Sequence, residues 1–76
     1  MLRIEVDHIQ AGRKLILETE EDIRVEDLIR KTGSIFGESG SGMLISCDKE
    51  GVLPPAQTLS GLNIVSGERL LYLGRN

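Results

Sequence analysis

The sequence has one cysteine, one histidine, two prolines and two aromatic residues in 76 positions, and no tryptophan. Each scarcity excludes something. A single cysteine, Cys47, leaves no intrachain disulfide, and Cys47 with His8 falls short of a structural zinc site. Phe36 and Tyr72 alone make no stacking platform for nucleic acid. A net charge of −3 argues the same way. No run nears the roughly 18 apolar residues that span a bilayer. The opening MLRIEVDH lacks the apolar core of a secretory leader. The expectation is a cytoplasmic, reducing setting, with no metal, no cofactor, no nucleic acid and no membrane insertion. What remains is 39% hydrophobic residues, enough for one small core, and a length that allows one domain over residues 1–76.

The hydrophobic pattern changes period along the chain. Leu2, Ile4 and Val6 alternate with Arg3, Glu5 and Asp7, as in a half-buried strand. Residues 9–13 form a glycine-bearing loop, and residues 14–19 alternate again, with Leu15, Leu17 and Thr19 on one face and Lys14, Ile16 and Glu18 on the other. Val25, Leu28, Ile29 and Thr32 then recur at helical spacing, which predicts a helix over 23–32. Arg30 and Lys31 suit its last turn and Gly33 its stop, while Asp22 or the poorer Arg24 would cap its start. Ile35 and Phe36 should tuck under the helix end. A third strand is expected over 43–48, with Met43, Ile45 and Cys47 on one face and Leu44, Ser46 and Asp48 on the other. Residues 48–51 read as a turn. Val52 and Leu53 begin a short strand that Pro54 and Pro55 end. Thr58 to Ser60 suggests a capped turn, and Arg69 to Leu73 closes the chain as a strand. The order β-β-α-β-β-β leaves one helix to cover one face of a mixed five-stranded sheet, an α+β fold.

This order resembles the β-grasp of ubiquitin, over nearly the whole chain. The stretch Thr58-Leu59-Ser60-Gly61-Leu62-Asn63-Ile64, followed by Gly67 and Leu70, is similar to the signature before the last strand of ubiquitin-like domains. From Met43 to Leu73 the pattern of strand, charged turn, Val52, Leu59-Ser60 and Gly67-Glu68-Arg69-Leu70 resembles the small bacterial ubiquitin-like family of YukD and EsaB. Those proteins belong to type VII secretion loci of Gram-positive bacteria. The resemblance implies a cytoplasmic accessory protein that binds secretion-machinery components. Conjugated ubiquitin and sulfur carriers end in a diglycine whose carboxylate is activated, whereas this sequence reads Leu73-Gly74-Arg75-Asn76. A modifier or carrier role would therefore require trimming to Gly74.

Motifs that suggest catalysis weaken on inspection. Residues 37–42 carry the glycines of a phosphate loop, but Met43 and Leu44 stand where Lys and Ser or Thr are needed, and a strand follows instead of a helix. A mobile connection is the plainer reading. Cys47 is expected to point inward as a small core residue. His8 is expected to be solvated and lies too far away to serve it as a base. Glu18 to Asp22 reads as a solvated acidic turn that also discourages edge pairing of the second strand. No acid–base pair, nucleophile or metal cluster assembles, so no enzymatic activity is expected.

The feature with most functional content is apolar surface. Alternation sends Leu71 and Leu73 away from the helix, and on this reading Leu44 joins them. The β-grasp order places the third and fifth strands side by side. Leu44, Leu71 and Leu73, bordered by Ile9 and with Arg69 and Arg75 as rim charges, form the expected protein-binding patch. Ile16 is outward but too distant to join it. A homodimer that covers the same leucines is the competing use of this surface.

Overall fold

The first hairpin forms as its alternation predicts. In the computed structural model, which describes residues 1–38, 41–49 and 51–74, strand β1 (Leu2–His8) pairs antiparallel with β2 (Arg13–Thr19). Leu2, Ile4, Val6 and Leu17 bury their side chains on one face. Three further strands complete the sheet: β3 (Met43–Ser46), β4 (Gly51–Val52) and β5 (Arg69–Leu73). Their order across the sheet is β2-β1-β5-β3-β4, with β5 parallel to β1 and antiparallel to β3. This is the expected ubiquitin-like β-grasp.

Helix α1 (Val25–Ile35) crosses the inner face and buries Val25, Leu28, Ile29, Thr32 and Gly33. It begins two residues later than expected. Arg24 occupies the N-cap position and makes no side-chain cap bond. The orphan N–H groups find partners elsewhere: Val25 donates to the Gln57 carbonyl (2.8 Å) and Glu26 to that of Pro55 (3.0 Å). The loop after β4 thus does the work of a cap. The helix also runs past Gly33, which was expected to stop it. The stop is Gly37, whose φ of 77° places it in the left-handed region. Gly37 N–H donates to the Ser34 carbonyl (3.1 Å) and Glu38 N–H to that of Gly33 (2.7 Å), which is the Schellman closure. Arg30 and Lys31 are therefore mid-helix, and the last turn holds no basic residue. Of the two residues expected beneath the helix end, only Phe36 is buried; Ile35 is 47% exposed.

The core lies between α1 and the sheet, with Leu28, Leu44, Leu59, Leu70 and Tyr72 fully buried. Each such side chain contributes about 2 kcal/mol by leaving water. Leu59 and Ile64 drop into it from the segment before β5. Thr58 caps that segment as expected, its hydroxyl accepting from the Gly61 N–H at 2.9 Å. Glu68, only 6% exposed, links this segment to the turn after β3: its carboxylate accepts from the Val65 N–H (2.8 Å) and from Lys49 Nζ (3.3 Å).

Candidate functional site

The face of β3 is opposite to the one expected. Leu44 pairs with Tyr72 and Ser46 with Leu70, and all four are 0% exposed. Met43, Ile45 and Cys47 lie on the outer face instead. The strand begins Met-Leu-Ile, apolar at both parities, so alternation alone does not choose between its faces, and a one-residue slip exchanges them all. The tertiary structure decides. Leu44 accepts the Leu53 N–H through its carbonyl (2.8 Å) and fills the space beneath the helix. Ser46 is buried without penalty because its hydroxyl accepts the Lys49 N–H at 3.0 Å. Leu44 is accordingly a core residue and no part of a binding surface. Cys47 is half-exposed and not a core residue.

The outer face nevertheless carries an apolar surface at the expected place. Strand register aligns Val52, Ile45 and Leu71 in one row across β4, β3 and β5. Met43 and Leu73 form the adjacent row across β3 and β5. Val52 is 58% exposed and Met43 36%, while Ile45, Leu71 and Leu73 are half-exposed. Ile9, 54% exposed at the tip of the first hairpin, borders a shallow cleft shared with Leu71, Arg69, Arg13, Lys14 and Asp7. Leu71, Leu73, Ile9 and Arg69 thus lie where the patch was expected, and Met43, Ile45 and Val52 replace Leu44. For Met43 and Ile45 the signal is present in the sequence, but the expected face of β3 is the opposite one; Val52 joins through its pairing with Ile45. Arg75 falls outside the described residues.

Charge edges this surface. Arg69 stands between Cys47 and Asp7, whose carboxylate lies 3.9 Å from Nε. Its pKa is raised above the usual value, first by hydrogen bonding to the Cys47 side chain and then by the charges of Cys47 and Asp7. Lys14 approaches Glu5 at 3.9 Å.

His8 is not solvated. It is 2% exposed and faces inward, edge-on to Phe36 and tilted on Tyr72, each at a centroid distance of 5.0 Å. Its Nε2 bonds the Glu38 carboxylate, and Nδ1 lies 3.4 Å from the Ala11 N–H. These contacts take the place of the solvent expected around it. Cys47 is on the opposite face, with β5 between their strands, so the two form no dyad. Burial, and secondarily the Glu38 charge, raise the Tyr72 phenol above its usual pKa.

The glycine loop and the tail meet at the same corner. Gly37 closes the helix, and Gly42 lies against the Tyr72 ring. The expected mobile loop of residues 37–42 falls in part outside the described residues, at 39 and 40. Gly74 donates its N–H to Gln10 Oε1 at 2.9 Å, and a side chain there would run into the Glu38 carboxylate. The expectation of tail processing beyond Gly74 concerns residues 75 and 76, which also lie outside the described set. Among the described residues, no cluster of three His, Cys, Asp or Glu side chains could hold a metal ion, and no helix is long and apolar enough to cross a membrane.

Solved structures place this architecture. The chain is similar to a de novo designed protein based on ubiquitin, at 26% identity and a TM-score of 0.81, over 99% of this chain and 89% of the design. It is also similar to the UBL domain of Plasmodium falciparum Dsk2, at 16% identity and a TM-score of 0.84, over 97% of both chains. No protein-family model matches the chain, and neither does any curated protein. These likenesses establish a ubiquitin-like fold.

Proposed function

We propose that this ubiquitin-like protein is a non-enzymatic interaction module that binds a protein partner through the outer face of its sheet. The observation that carries the reading is the register that brings Val52, Ile45 and Leu71 into one row, with Met43 and Leu73 beside them. A contiguous apolar surface on a small monomer is costly to leave in water and is the ordinary mark of a docking site. Arg69, Lys14 and Asp7 supply a polar rim, as in transient interfaces. The resemblance of residues 43–73 to YukD and EsaB supplies the setting: a cytoplasmic accessory component of a type VII secretion system, with a machinery protein as partner. The Gly74 packing supports a role without conjugation, because Gln10 and Glu38 give this glycine a structural reason to be there. A carrier would instead need that segment free to thread into an activating enzyme.

The test is co-purification of the tagged full-length chain with secretion-machinery components in a Gram-positive host. Ile45→Asp with Leu71→Lys, which sets opposite charges across the Ile45–Leu71 pair and beside Asp7, should preserve folding and abolish recovery of the partner. Recovery unchanged by the double substitution removes the outer face from the reading. Loss of recovery with an unrelated partner set would keep the face and remove the secretion role. Intact mass of the protein from its host separates the carrier reading: a species ending at Gly74 supports it, and full length rejects it.

A further inference from the structure

The sheet has two edges, and they are treated differently. β4 is two residues long, and Pro54 and Pro55 follow one residue later, which protects it. β2 is seven residues long, contains no proline and forms the other end of the sheet. Its free hydrogen-bonding groups can be assigned. Glu5 donates its N–H to Glu68, and Arg3 accepts from the Gly67 N–H, so the odd residues of β1 turn their backbone groups toward β5. The even residues, Leu2 to His8, therefore face β2. Their partners Arg13, Leu15, Leu17 and Thr19 are the bonded ones, and Lys14, Ile16 and Glu18 point their N–H and C=O groups off the sheet. The side chains of those same three residues are exposed on the outer face, Ile16 at 56%.

We infer that β2 pairs with β2 of a second copy, antiparallel about a two-fold axis through Ile16. In that register Ile16 meets Ile16 of the second copy, and each Lys14 meets Glu18 across the seam. Half-exposed Leu15 lies opposite Leu17 on the inner side. Roughly six backbone hydrogen bonds would close the edge and join two five-stranded sheets into one. The strand is its own charge complement, basic at Arg13-Lys14 and acidic at Glu18, and opposite charges placed directly across a strand pair are favourable. Registers centred on residue 14 or 18 put like charges face to face, and parallel pairing aligns the bases with the bases. In this register Glu20, Glu21 and Asp22 fall level with Gly12, Ala11 and Gln10, so the acidic turn meets no like charge. The present lysine contact, Lys14 to Glu5 at 3.9 Å, is long and exposed and offers little competition. The inference shares only Lys14 with the rim of the outer-face docking surface; Ile45, Leu71 and Leu73 take no part in it.

Sedimentation velocity of the full chain, from about ten micromolar to about one millimolar, reads the outcome. A reversible monomer–dimer equilibrium is expected. Lys14→Glu and Glu18→Lys should each weaken the dimer about tenfold or more, because every substitution appears twice at a two-fold seam. The double variant Lys14→Glu/Glu18→Lys exchanges the partners and should restore it. Amide exchange at Lys14, Ile16 and Glu18, but not at Leu15 and Leu17, should slow as concentration rises. Ile45→Asp should leave the dimer unchanged and so separates this seam from the docking face. A chain that stays monomeric throughout overturns the inference. So does a dimer indifferent to the single substitutions, a double variant no better than the singles, or open-ended oligomers.

Discussion

The Glu38 carboxylate occupies the space that a side chain at Gly74 would need, while it also bonds the buried Nε2 of His8. One carboxylate thereby joins the end of α1, the end of β5 and the first hairpin. Gly74→Ala should destabilise the protein by about 1 kcal/mol, because the Glu38 carboxylate must swing aside and give up its bond to His8. In a Glu38→Ala background the same change should cost much less, whereas Glu38→Gln, similar in size, should not relieve it. Urea unfolding of the double-mutant cycle measures this coupling. Additive costs would mean that the two residues do not meet.

The inversion of β3 makes opposite forecasts for neighbouring residues. Leu44→Ala should cost about 2–5 kcal/mol, because Leu44 is fully buried beneath the helix. Leu44→Asp should prevent folding altogether. Ile45→Asp, on the half-exposed outer face, should change stability by about 1 kcal/mol or less. Denaturant midpoints for the three variants check the assignment. Equal losses at 44 and 45 would contradict it.

Tyr72 predicts an alkaline dependence. Its folded pKa is raised, mainly by burial, above the ordinary value of 10.0. The unfolded chain therefore loses the phenolic proton first. The stability this group contributes is complete below pH 10 and declines as pH rises from there toward the folded pKa. Tyr72→Phe should remove that part of the alkaline decline. It should also cost little near neutrality, since the hydroxyl finds no hydrogen-bond partner among the described residues. Unfolding midpoints at pH 8 and pH 11 for the two proteins give the difference. An identical decline in both would remove Tyr72 as its source.

The Lys49–Glu68 pair is asymmetric. Glu68 is buried and serves both the Val65 N–H and Lys49, whereas the Lys49 side chain is 40% exposed. Glu68→Ala should cost about 2 kcal/mol by leaving the part-buried Val65 N–H without its acceptor and Lys49 without its partner. Lys49→Ala should cost about 1 kcal/mol. Thermal unfolding of the two variants orders them, and the reverse order would contradict this role for Glu68.

The first hairpin, the apolar stripe of α1 and the last strand were legible because apolar residues at those places fit a single period. β3 was not. Met43, Leu44 and Ile45 satisfy both faces, and only contact with Tyr72 and the buried Ser46 hydroxyl selects one. The helix end is not legible either: Gly33 is buried and continues the helix, and Gly37 has the positive φ that a stop requires. The burial of His8 is not legible because its partner, Glu38, lies 30 residues away in a stretch with the polarity of a solvated loop. The docking surface was legible in part: Leu71 and Leu73 follow from β5 alone, but their neighbours across the sheet depend on the face of β3.

The most direct measurement is partner recovery by the folded Ile45→Asp/Leu71→Lys variant, quantified against the unmodified protein from the same Gram-positive host. An interaction module that docks through Val52, Ile45 and Leu71 loses its partner while its unfolding midpoint stays within about 1–2 kcal/mol of the original. Undiminished recovery by that folded variant would contradict docking through the outer face.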